Sequence, residues 1–202
     1  MHGQHPWLVC FLGLSAMAWS CCAASQSVGP SFDCQAVEAE SIRALVCENG
    51  DLASLDRALA GVFAAAVAKA REVEPSLRAE QRGWIKGRDD CWKSDDRVAC
   101  VREEYSHRIA ELQAMYRLVS FTGPIFYACD GNPSNEVVAT FFETEPRTLV
   151  AERGDSVSLM FLEPSGSGSK YVGRNESLWS KGDEALVVWG YEAPEMSCVT
   201  KK

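Results

Sequence analysis

Basic charge is in short supply. The 202-residue chain carries 20 Lys+Arg against 28 Asp+Glu, a formal net charge of −8. A nucleic-acid backbone needs a basic surface, so this balance excludes nucleic acid as the main partner. It favours a basic protein or a cationic substrate instead. Histidine is scarcer still: His2 and His5 stand at the very start, leaving His107 for everything after them. A Ser-His-Asp triad would have to take its base from that one residue. His107 falls in a helical pattern heavy with Arg and Glu, and reads as a solvated helix residue. Zinc is excluded in the same way, because the chain has no CxxC pair and too few histidines to complete a ligand set. A phosphate-cradling loop is missing, since no Gly-Lys-Ser/Thr ends the glycine run at Ser165–Ser169. The same run fits no GxSxG elbow in any register. No cofactor, no metal and no enzymatic activity are expected.

Long apolar runs are also lacking. The stretch Trp7 to Trp19 is almost wholly apolar, but a spanning helix needs about 20 such residues. Small residues follow it, from Ser20 to Ser25, which is the pattern of a secretory leader and its cleavage zone. Residues 1–24 are therefore expected to direct export. Cleavage after Ala24 would release a soluble protein. Cleavage before Cys21 would leave a cysteine for lipidation, although Ala18 stands where a lipobox usually has Leu or Val. A membrane is expected as a partner only through such an anchor.

Cysteine, by contrast, is abundant, with nine in the chain. Once the leader region is set aside, Cys34, Cys47, Cys91, Cys100, Cys129 and Cys198 remain. An even number in an exported chain reads as disulfides. The first four cluster in one half and allow three pairings among themselves, so their connectivity stays open.

The chain has two textures. Residues 31–117 are rich in Ala, Glu, Arg and Leu at helical spacing. Leu52, Leu55, Leu59, Phe63 and Ala66 share one face of a helix, and Pro75-Ser76 should end it, with Ser76 capping the next. Leu77, Trp84, Ile85 and Arg88 continue the second helix. Val98, Val101, Tyr105, Ile109, Leu112 and Met115 mark a third, and a shorter helix is expected over Val37 to Val46. Residues 124–202 are rich in Val, Phe, Ser and Gly in short alternating runs, with Gly123-Pro124 as a breaker at the change. Eight short strands are expected: Ile125 to Cys129, Val137 to Phe142, Thr148 to Glu152, Ser156 to Leu162, Tyr171 to Val172, Ser177 to Trp179, Ala185 to Trp189 and Met196 to Thr200. Such punctuation suggests an antiparallel barrel or sandwich. A Cys129–Cys198 bond would tie its first strand to its last. The fold class is thus two-domain α+β, a small disulfide-stapled helical module followed by an antiparallel barrel.

Candidate sites are few. Asp89-Asp90 and Asp95-Asp96 flank Cys91 and could in principle act as acid and base, but a solvated inter-helix turn explains them better. Asn175-Glu176-Ser177 fits a glycosylation sequon. The informative stretches are Ser165-Gly-Ser-Gly-Ser-Lys-Tyr171 and Trp179-Ser-Lys-Gly-Asp-Glu-Ala185. Gly166 and Gly168 permit tight turns that hold Ser167 forward on a narrow tip. Lys181 precedes Gly182 at a strand end, so a hydroxyl and an ammonium can lie side by side. Tyr171 and Trp179 would support the loop, Tyr171 by packing in the barrel rather than by touching a partner.

These two motifs, with the opening Tyr127-Ala-Cys-Asp-Gly131 and the late Cys198, resemble the MliC/PliC family of c-type lysozyme inhibitors over about 80 residues. The usual Ser-Gly-Ala-Arg-Tyr reads here with Ser169 and Lys170 in place of Ala and Arg, which keeps a small residue and a cation. Phe32-Asp33-Cys34, Val46-Cys47, Leu52 to Leu59, Gln81 to Trp84 and Cys100 resemble the LprI-type helical domain, which names structural positions rather than a site. The resemblance implies an eight-stranded barrel whose loop pair enters the cleft of host c-type lysozyme, with Ser167, Lys181, Gly166, Gly168, Lys170 and Tyr171 as the binding set. It also implies a protein of the Gram-negative periplasm or envelope. Lysozyme works through two carboxyl groups about 5 Å apart, and a lysine ammonium beside a serine hydroxyl is a fitting complement. Residues 122–202 carry a net −5, and c-type lysozymes are typically basic, so steering would raise the association rate. The rival readings are an envelope glycan- or small-ligand-binding barrel, a wall-cleaving enzyme and a purely structural envelope module.

Overall fold

The structure, a computed structural model, describes residues 29–70 and 74–201. The expected leader and Cys21 lie outside the described residues.

The helical half begins with a 3-10 turn at Cys34–Ala36, capped by Asp33 through the backbone N–H of Gln35. Helix α1 (Ile42–Glu48) starts later than the Val37-to-Val46 expectation. Ser41 is the reason, because its hydroxyl accepts from the Ala44 N–H and fixes the first turn there. Helix α2 (Gly50–Ala70) follows, with the Asn49 side chain accepting from the N–H groups of Asp51 and Leu52. Helix α3 (Glu74–Asp89) contains Pro75 and Ser76 in its first turn. Proline is tolerated there, since the first N–H groups have no intrahelical acceptor. Ser76 therefore does not cap the helix; its hydroxyl bonds Glu80 one turn on. Helix α4 (Arg97–Met115) is capped by Asp96.

The expected stripes form the helical core. Leu52, Leu59 and Ala66 of α2 meet Leu77 of α3 and Val101, Tyr105 and Leu112 of α4. Leu55, Phe63, Val98 and Ile109 pack at its margin, whereas Met115 and Ile85 face outward. Two disulfides staple this small core. Cys34–Cys47 ties the N-terminal turn to α1, and Cys91–Cys100 clasps the α3–α4 connection. Within the core Arg88 donates to the Tyr105 hydroxyl at 2.7 Å, and that hydroxyl donates to Asp56 at 2.8 Å. Asp56 also accepts from the Ser31 N–H at 2.6 Å.

The second half is a closed barrel of eight antiparallel strands in sequential order: β1 (Phe121–Cys129), β2 (Asn132–Phe142), β3 (Thr148–Arg153), β4 (Ser156–Glu163), β5 (Ser169–Val172), β6 (Glu176–Lys181), β7 (Glu184–Trp189) and β8 (Met196–Thr200). Closure pairs β8 back onto β1, with Cys129 opposite Cys198 and bonded to it. Each expected strand is present, and most are longer than their alternating run. Gly123-Pro124 does not break the chain: it sits inside β1, where the register with β2 shifts between Thr122 and Ile125. Gly123 has φ +119, and a Cβ there would lie 2.8 Å from the Ala139 carbonyl, so the strand passes only because that side chain is missing. Pro133 likewise lies inside β2, because Asp130 and Gly131 alone make the turn, both at positive φ.

Alternate residues fill the barrel, among them Tyr127, Val137, Leu149, Met160, Tyr171, Leu178 and Val187. The outer faces of β2, β3 and β4 are covered too. Ala114 of α4 packs on Phe142 and Val150, with Leu159 at the edge, and His107 stacks on Phe161 with ring centroids 4.5 Å apart. His107 is thus a contact between helix and barrel rather than a solvated helix residue.

Candidate functional site

In a sequential antiparallel barrel, the connections that follow even-numbered strands share one end. The β4–β5 loop and the β6–β7 turn are two of these, so the topology alone brings Ser167 and Lys181 to the same rim. The register refines this: Ser169 pairs with Ser180 and Lys170 with Trp179 across β5 and β6, and Lys181 pairs with Glu184 across the turn.

Two interactions fix the loop against β6. The indole N–H of Trp179 donates to the Ser167 carbonyl at 2.7 Å. Gly168, at φ +68, lies so close to β6 that a Cβ would stand 2.3 Å from the Ser180 carbonyl and 3.3 Å from the Lys181 Cβ. Within the loop, the Ser165 hydroxyl donates to the Gly168 carbonyl at 3.0 Å. Ser167 is exposed, as are Gly166 and Lys181. Lys181 has no ion-pair partner among the described residues, although Asp183 and Glu184 follow it closely. Gly182 takes the first central position of the turn at φ +61, which keeps Lys181 on the strand.

Ser167 and Lys181 border one open cavity of about 300 Å³ together with Trp179, Glu184, Leu186 and Ser197. Trp179 and Leu186 are directly paired across β6 and β7, both point outward, and both are more than a third exposed. The site is therefore a hydroxyl and an unpaired ammonium at the edge of a small apolar patch. Strand β7 stands four places from β3 around the ring, so this face looks away from the helices that cover β2 to β4.

Not every expected residue reaches this surface. Lys170 is half-buried on the outer face of β5. Tyr171, grouped with the binding residues by motif, is 5% exposed inside the barrel, with its ring edge-on to Phe141. Strand alternation sends it inward, and it holds β5 rather than presenting a contact. Burial pushes its phenol above the ordinary tyrosine range. Trp179 buttresses the loop from outside the barrel. Glu184, Leu186 and Ser197 were not singled out by sequence, and only the outward phase of β7 and β8 would have indicated them. The acidic turn is occupied structurally: Asp89 pairs with Arg88, Asp90 with Lys93, and Asp96 caps α4.

Comparison with known proteins gives two family matches. Residues 127–196 match the family described as membrane-bound lysozyme-inhibitor of c-type lysozyme, MliC. Residues 34–112 match the family described as lysozyme inhibitor LprI. Among curated proteins, the chain is similar to lipoprotein LprI of Mycobacterium bovis and of Mycobacterium tuberculosis. Each is 31% identical over 180 residues, covering 85% of this chain and 89% of the relative.

Proposed function

The chain belongs to the family of the mycobacterial lipoprotein LprI, and from that premise we propose that it inhibits c-type lysozyme by inserting Ser167 and Lys181 into the catalytic cleft. Both family matches are to lysozyme inhibitors rather than to enzymes. The observation that carries the finer reading is the unpaired Lys181 ammonium beside the exposed Ser167 on one rim. Two neighbouring carboxyl groups in the target cleft are natural acceptors for that pair, and charge-assisted hydrogen bonds are about twice as strong as neutral ones. Trp179 and Gly168 set the loop before binding, which reduces the ordering cost of association. Trp179 and Leu186 supply apolar contact beside the polar pair.

An exported or envelope location fits this role, and the relatives are named lipoproteins. The finer placement, in a Gram-negative periplasm or anchored in that envelope through Cys21, is part of the proposal and is decided by cell fractionation and mass spectrometry of the mature N-terminus. So is host lysozyme as the target.

The test is lysis of a Gram-positive cell suspension by c-type lysozyme, with the whole mature protein titrated in. Wild type should slow lysis, and Lys181→Ala should weaken inhibition by about tenfold, or roughly 1.4 kcal/mol. A wild type that never slows lysis overturns the assignment.

A further inference from the structure

We propose that the cleft between the helical half and the barrel is a saccharide-binding site, separate from the Ser167–Lys181 rim and selective for acetamido sugars. The cleft holds about 380 Å³, within the range of small-ligand sites. Its walls come from both halves: Trp84 of α3, Arg108 and Glu111 of α4, and Phe161, Val172 and Arg174 of the barrel.

Two buried donors mark it. The Trp84 indole N–H and one Arg108 guanidinium nitrogen are buried without a hydrogen-bond partner among the described residues, and both residues line this cleft. Arg108 is only 5% exposed. Its other nitrogens are engaged, donating to Gln81 at 3.0 Å and to Glu111 at 2.7 Å, so its orientation is fixed and one donor is left over. Unpaired donors are costly to bury, and with both residues on the walls of this cleft they point to an acceptor brought by a ligand. Arg174, on the β5–β6 turn, is exposed and also has no partner among the described residues.

Local charge selects the ligand class. Arg108 and Arg174 are balanced by Glu104 and Glu111 on the same walls. Such a cleft has spare donors but no net field, and so fits a neutral molecule rich in acceptor oxygens. The acetamido carbonyl and hydroxyls of an N-acetylated amino sugar answer that description. Leu159 and Val172 offer an apolar floor for the C–H face of a sugar ring. Gly173 lets the chain pass close against β4, because a Cβ there would lie 2.7 Å from the Ser158 hydroxyl. The aromatic faces are already used, by His107 on Phe161 and by Tyr105 and Arg88 against Trp84. Hydrogen bonding rather than ring stacking therefore carries recognition.

The experiment uses the whole mature protein without lysozyme, titrated with chitotriose, maltotriose and acetate, and followed by calorimetry and by the indole N–H resonance of Trp84. Chitotriose should bind and shift that resonance, whereas maltotriose should bind more weakly. Arg174→Ser, a surface change that leaves the fold intact, should weaken chitotriose binding about fivefold, and Trp84→Phe should weaken it as well. Lys181→Ala should leave it unchanged, while Arg174→Ser should leave lysozyme inhibition unchanged, so the two sites fail or stand separately. No chitotriose binding at millimolar concentration overturns the proposal. So does binding that both variants leave intact, or acetate producing the same Trp84 shift as chitotriose.

Discussion

The Trp179 indole N–H donates to the Ser167 carbonyl at 2.7 Å, linking the outer face of β6 to the tip of the β4–β5 loop. Because the ring stays more than a third exposed, this bond is not part of the barrel core. Its removal should separate the conformation of the loop from the stability of the fold. Trp179→Phe keeps a ring and loses the donor. Inhibition of lysozyme should weaken about fivefold, near 1 kcal/mol for one hydrogen bond, with the thermal midpoint nearly unchanged. Paired inhibition and melting curves check this.

Gly168→Ala attacks the same contact by crowding. The new methyl group meets the Ser180 carbonyl at 2.3 Å in a backbone at φ +68, so the loop must lift from β6. Inhibition should fall by at least as much as for Trp179→Phe. Gly166→Ala meets nothing within 4 Å and should be close to wild type. The inhibition constants of the two variants, measured side by side, provide the contrast.

The Cys129–Cys198 bond joins β1 to β8 across 69 residues of sequence. In the chain-entropy account, closing such a loop is worth about 4 kcal/mol. Replacing both cysteines with alanine should lower the urea midpoint of the barrel by a corresponding amount. Near-ultraviolet circular dichroism and a denaturant titration report it.

The Arg88–Tyr105–Asp56 chain predicts an alkaline effect. Burial is the largest influence on the Tyr105 phenol and pushes it well above its ordinary value; Arg88 pulls the other way and Asp56 adds to the rise. The folded protein therefore holds this proton at pH values where the unfolded chain has released it. The stabilisation is fully present below about pH 10, the unfolded value, and is lost as pH rises from there toward the folded value. Tyr105→Phe should cost about 2 kcal/mol, since Arg88 and Asp56 each lose a buried partner. It should also flatten part of the decline in stability above pH 10, which denaturant titrations at several pH values would show.

Much of this architecture was legible in sequence because it rests on local patterns. Alternating runs between turn residues signalled all eight strands, though not every strand end, and the helical stripes identified Leu52, Leu59, Val101, Tyr105 and Leu112 as core. Ser167 and Lys181 could be singled out because glycines stand beside both. What was not legible depends on contacts between distant segments. The pairing of Cys34 with Cys47 and of Cys91 with Cys100 is set by how the helices meet. His107 leaves solvent only because α4 lies on the barrel, and no periodicity within α4 encodes Phe161 as its neighbour. Pro133 and Gly123-Pro124 enter strands because a one-sided bulge and a two-residue turn absorb them.

The central claim is that Lys181 engages a catalytic carboxyl group of c-type lysozyme. A double-mutant cycle tests it most directly, combining Lys181→Ala with a lysozyme variant in which one catalytic carboxyl is replaced by its amide, and measuring all four dissociation constants. Contact between the two charges predicts a coupling energy of about 1.5 kcal/mol or more. Additive losses, with coupling near zero against each catalytic carboxyl in turn, would contradict the claim.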